Sequence, residues 1–130
     1  MREILFRAKL ADEDTWVEGS LVVWKGDTMI YTDRGFPHFM GNFLVEPETV
    51  GQFTGLTDKN GTKIFEEDIV EGLDYDEENG FGVVYWEDGA FFVGNSSWCG
   101  TFCENYNGID FEVIGNIHDN PELIGGADND

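Results

Sequence analysis

Two cysteines, Cys99 and Cys103, and two histidines, His38 and His118, are the residues best suited to metal or nucleophile chemistry. Together they would supply four zinc ligands. The C-x3-C spacing is not that of a zinc knuckle, and the histidines stand far from the thiols and from each other. Two packed thiols and two surface imidazoles are the expectation, and no metal site is assigned. A thiol nucleophile needs a neighbouring base and a depressed pKa. The acidic surroundings of both cysteines work in the opposite direction.

Carboxylates are the other candidates. The loop Asp74-Tyr75-Asp76-Glu77-Glu78-Asn79-Gly80 resembles a calcium loop but fails its register. Glu78 and Asn79 hold the fifth and sixth positions, where Asp or Asn and then Gly are required, and Tyr85 holds the twelfth in place of Glu. Paired carboxylates could do acid–base work or hold Mg2+. With 27 acids in 130 residues, however, neighbours arise by chance. No phosphate-binding glycine loop, G-x-S-x-G or H-E-x-x-H is present. Trp86, Phe91, Phe92 and Trp98 could stack on bases, but basic partners are missing around them, so they read as core. No catalytic residue and no cofactor is therefore assigned. What remains is an acidic face, Glu66, Glu67, Asp68, Asp74, Asp76, Glu77 and Glu78, read as a solvated rim or a binding surface.

The net charge is −20, unevenly spread. Residues 1–63 carry all 7 basic residues against 10 acids, a net of −3; residues 64–130 carry 17 acids and no Lys or Arg, a net of −17. Such a surface repels nucleic acid and anionic membranes. It attracts cations, basic proteins or the less acidic half of another copy. The start of the chain lacks an apolar stretch long enough for a signal peptide, and no apolar run approaches the roughly 20 residues of a membrane span. These features predict a soluble cytoplasmic protein whose cysteines are free thiols.

The elements that must position these residues are short and β-like. Aromatic residues make up 15% of the chain, enough for a packed core, and 17 glycines among short apolar runs signal many turns. Residues 3–10, Trp16–Trp24 and Thr28–Tyr31 fit two hairpins in series, with turns at Ala11–Asp14 and Lys25–Asp27. From residue 49 the order is strand, Asn60-Gly61 turn, strand, acidic loop, hairpin at Asp88-Gly89, loop and last strand at 111–117. Asn120-Pro121 could open one helical turn, with Asn120 as its cap. The order predicts a mainly β chain with little helix. A small SH3-like, partly open antiparallel barrel spans about residues 49–117, and the N-terminal hairpins pack on it. Residues 1–124 form a single domain (1–48 the hairpin half, 49–124 the barrel half), and 125–130 a frayed tail.

Three blocks, REILFRAKL with WVEGSL, PETVGQFTGLTDKNGTKIFEEDIV and EVIGNIHDNPEL, resemble the YopX-like family of phage and prophage proteins. The resemblance covers most of residues 1–124. It implies a phage or prophage origin, expression in the cytoplasm of a bacterial host, a mainly β fold and a homo-oligomer. It implies no activity and carries over no catalytic residue. The family usually reads Gly where this chain has Glu67; if that backbone has positive φ, Glu costs about 1 kcal/mol relative to Gly. Segments 25–43 and 94–108 lie between the matching blocks.

Three functions compete. The first is a non-enzymatic phage accessory protein acting through contacts with a protein partner or its own copies, without direct nucleic-acid or membrane binding. Head-to-tail copies would then form an oligomer that loosens at high salt. The second is an acidic DNA mimic that occupies the basic cleft of a host nucleic-acid-binding protein. The third is a metal-dependent hydrolase, which requires carboxylates converging in a pocket.

Overall fold

A computed structural model describes residues 3–33, 40–73, 79–94, 99–101 and 111–123. The chain folds as two compact units, residues 1–53 and 54–130, each with its own core.

The first unit contains β1 (Phe6–Lys9), β2 (Trp16–Trp24), β3 (Asp27–Asp33) and β4 (Met40–Leu44), antiparallel in the order β4-β3-β2-β1. A single 3-10 turn, Pro47–Thr49, follows. The start of β5 (Gly51–Thr57) lies beside β1, with Arg7 opposite Gly51 and Phe6 opposite Gln52. The β2–β3 turn is as tight as its sequence predicts: Lys25 and Gly26 both take positive φ, 53° and 88°. Alternation then sorts the side chains. Ala8, Ile30 and Val45 are buried, with Phe6, Leu10, Val17, Leu21 and Val50 packed on them. Past β4, Val45 pairs with Leu10, and Glu46 N–H donates to Lys9 O at 2.9 Å. The end of β4 therefore curls onto the end of β1.

The second unit begins with the rest of β5, which neighbours β6 (Lys63–Phe65). Five further strands follow: β7 (Asp68–Leu73), β8 (Asn79–Glu87), β9 (Ala90–Gly94), β10 (Cys99–Thr101) and β11 (Phe111–Asn116). They form an antiparallel sheet in the order β10-β9-β8-β7-β11. Asp88 and Gly89 take φ of 53° and 85°, which makes the predicted hairpin turn. Ile64, Val70, Val84, Val93 and Phe111 form the core, with Leu56, Phe91 and Val113 against them.

The mainly β expectation with open sheets holds: the strands form two antiparallel sheets that are not closed into a barrel. The Asn60-Gly61 turn forms as expected, with Gly61 at a φ of 85° and Gly61 N–H donating to Asp58 O at 3.0 Å. Two local readings need correction. Asn120 does not cap with its side chain: Oδ1 accepts Asn116 N–H at 3.2 Å, and its backbone carbonyl accepts Leu123 N–H. Trp86 is no core residue: it is 50% exposed and packs edge-on against Phe91 across β8–β9. Among the described residues no helix is long and apolar enough to cross a membrane.

Candidate functional site

Of the acidic face read from the sequence, Glu66, Glu67 and Asp68 are described, while Asp74, Asp76, Glu77 and Glu78 lie outside the described residues. The three neighbours do not form one surface. Glu66 is half-buried. Asp68 is 1% exposed, and its Oδ2 accepts Phe65 N–H at 2.7 Å, which closes the turn between β6 and β7. Glu67 has φ 75°, so the backbone keeps the left-handed form that suits glycine although a glutamate stands there.

Two backbone bonds hold that conformation: Glu67 N–H donates to Val84 O at 2.7 Å, and Ile117 N–H donates to Glu67 O at 3.1 Å. The side chain then reaches His118, with Oε1 2.6 Å from Nε2. His118 is positioned from below by Asn116, whose Oδ1 accepts both the His118 and Asp119 N–H groups at 2.9 Å. Gly115 makes room for this turn, because a Cβ there would stand 2.5 Å from Asn120 Oδ1. A carboxylate against an imidazole is a pair acid–base chemistry can use. Here it ties the β6–β7 turn to the segment after β11.

Asp58 is the carboxylate that sequence reading passed over. It is 3% exposed, yet Oδ1 accepts Asn60 and Thr62 N–H at 2.8 and 2.9 Å, and Oδ2 accepts Val113 N–H at 2.9 Å. Burial alone would push its carboxyl up. The N–H groups of Val113, Thr62 and Asn60, with Lys59 beside it, outweigh that and hold it below the ordinary value of 3.8. Lys59 N–H also donates to Phe111 O at 3.0 Å, so this turn covers the end strand β11. The signal was legible in part: Asp-x-Asn-Gly is an Asx-turn pattern. The reach across 55 residues to Val113 was not.

Most of the exposed large hydrophobic residues among the described residues lie in the first unit. Ile4, Val23, Trp24, Tyr31 and Leu44 are five of six exposed large hydrophobics among the described residues; only Trp86 lies in the second unit. Register places several on one face. Val22 stands opposite Met29, and Met29 opposite Leu44, which forms an uncharged row across β2, β3 and β4 on the side away from Ile30. Trp24 (63% exposed) and Tyr31 (39%) flank that row on the same face. Lys25 Nζ lies 5.6 Å from the Trp24 ring centre.

His38 and Cys103 lie outside the described residues, and Cys99 is placed as the first residue of β10. Among the described residues no three His, Cys, Asp or Glu side chains converge on a metal position.

The comparisons agree with this architecture. The crystal structure of protein EF1440 from Enterococcus faecalis is similar, with a TM-score of 0.63 and 28% identity over 95% of this chain and 99% of that chain. No curated protein matches the sequence. The YopX protein family matches residues 5–125, nearly the whole chain, through both units and both cores, and the chain belongs to that family.

Proposed function

We propose that this YopX-family chain is a non-enzymatic accessory protein of phage or prophage type that works through protein contacts, and that its contact surface is the outer face of β2, β3 and β4. The observation that carries this reading is the row Val22–Met29–Leu44 with Trp24 and Tyr31 beside it. Contiguous exposed apolar side chains on a small domain mark interaction surfaces, and Trp and Tyr are the residue types enriched at their centres. The partner we favour is a second copy of the chain. Two such faces stacked about a twofold axis bury the uncharged row against itself. The DNA-mimic reading draws less support, since Asp68 is taken into the fold.

Sedimentation at about 50 and about 500 mM salt tests the proposal, because these bracket weak and strong screening. A dimer is expected that tightens as salt screens the repulsion. Leu44→Glu and Trp24→Ser should dissociate it while the circular dichroism stays unchanged. A parent protein that is monomeric at both salts, or a dimer indifferent to both substitutions, overturns the assignment.

A further inference from the structure

The outer row Val22–Met29–Leu44 contains one atom chemically unlike the rest. Val22 and Leu44 carry only hydrocarbon, whereas Met29 carries a polarizable thioether sulfur. Register places Met29 in the middle of the row, directly opposite both neighbours. Met29 is only half-buried in the single chain, so a small solute can reach it. Ile30, the next residue along β3, is fully buried on the opposite face with Ala8 and Val45. A chemical change at Met29 therefore acts on the outer face and leaves the core of the unit intact.

The change open to a thioether is oxidation. Hydrogen peroxide transfers one oxygen atom to the sulfur: the O–O bond breaks, an S–O bond forms, the sulfur gives up two electrons and water leaves. The sulfoxide is polar, and Val22 and Leu44 offer its oxygen no donor. Burying such a group without a hydrogen bond is unfavourable, and a twofold contact contains two of them. We propose that Met29 is a redox modification site that releases the contact between copies: the thioether permits association and the sulfoxide opposes it. This deepens the reading of the outer face as a self-association surface and rests on it. Association in turn covers the sulfur, so peroxide attacks the dissociated chain. A sulfoxide reductase, drawing two electrons from a dithiol, restores the thioether and releases the oxygen as water.

The full chain is treated with hydrogen peroxide and then with dithiothreitol, which returns disulfides and sulfenates at Cys99 and Cys103 to thiols. Peptide mass spectrometry locates the added oxygen, and sedimentation at about 500 mM salt reads association under strong screening. Oxygen at Met29 should raise the dimer Kd by at least about tenfold and leave circular dichroism unchanged. Oxidation of Met29 should slow as protein concentration rises through that Kd. Met29→Leu conserves volume, so it should dimerise like the parent. It keeps Met1, Met40, Cys99 and Cys103 as targets, yet peroxide should no longer dissociate it. A parent chain that is monomeric before oxidation overturns the self-association surface and the switch with it. A parent dimer whose Kd survives oxidation of Met29, a Met29 that stays reduced in the dissociated chain, or a Met29→Leu dimer that peroxide still dissociates overturns the switch alone.

Discussion

Asp58→Asn is the perturbation whose consequence the structure fixes best. The carboxylate accepts three backbone N–H groups, two on Oδ1 and one on Oδ2, at 2.8–2.9 Å. Asparagine keeps one accepting oxygen and replaces the other with an amide that donates. Either the Asn60 and Thr62 amides or the Val113 amide must then face an N–H group. One charge-assisted bond is lost outright, the remainder become neutral, and a buried donor is left without an acceptor. At about 1.5–3 kcal/mol for a bond to a charged group, the expected loss is about 2–4 kcal/mol. Urea unfolding reads it directly: with a slope of about 1–3 kcal/mol/M, the midpoint should fall by roughly 1–2 M. Amide exchange at Val113 should quicken in step, because that N–H loses its partner across the turn. The pH dependence has a definite sign. The folded carboxyl lies below 3.8, so its stabilising share is complete above 3.8 and is lost as pH falls below that value through the folded pKa. The gap between parent and variant should therefore narrow in acid. A variant within about 0.5 kcal/mol of the parent at neutral pH, with Val113 exchange unaltered, would refute the reasoning.

Other substitutions test neighbouring claims. Glu67→Gly relieves about 1 kcal/mol of left-handed strain and forfeits a partly exposed contact worth about 0.5–1 kcal/mol, so urea unfolding should show little net change. In a His118→Ala background, where the contact is already gone, the same Glu67→Gly should stabilise by about 1 kcal/mol. Gly19→Ala places a Cβ 2.0 Å from the Tyr31 carbonyl oxygen, a backbone atom that cannot swing away; a lowered melting temperature equivalent to about 3 kcal/mol is expected. Gly115→Ala meets only the far end of the Asn120 side chain at 2.5 Å, and thermal unfolding should show a smaller loss of about 1–2 kcal/mol.

Much of the fold was legible because its signals are local. Lys25-Gly26 and Asp88-Gly89 announce hairpins, and both pairs take the left-handed angles such turns need. Strand alternation likewise separates Ile30 and Ala8 from Val22 and Met29. The misses share a physical cause, a long-range partner that no window of sequence contains. Asn60-Gly61 marks its turn correctly, but the Asp58 carboxylate that gathers the Asn60 and Thr62 amides also reaches Val113, which no local signal shows. Asn120 looks like a helix cap, yet its side chain is taken by Asn116. The order of the strands within the sheets was not legible for a related reason. Strand order along the chain does not say which edges meet, and here the Asp58 turn lies along β11.

The candidate site was the least legible part, because composition treats every carboxylate as surface. The structure divides them into two populations. Asp58 and Asp68 are spent on backbone N–H groups inside the fold, and Glu67 is half-buried against His118. These acids shape turns, so their density in sequence overstates what the surface offers a partner. The uncharged row Val22–Met29–Leu44 carries the opposite lesson. On a chain of net charge −20, association through such a row must work against long-range repulsion, which salt screens to about 10 Å at 0.1 M. Association through the acidic residues with a basic partner gains from the same charge and weakens as salt rises. The sign of the salt dependence therefore separates the two surfaces without any knowledge of the partner, and Leu44→Glu assigns the residue: it adds charge where only the first surface is touched.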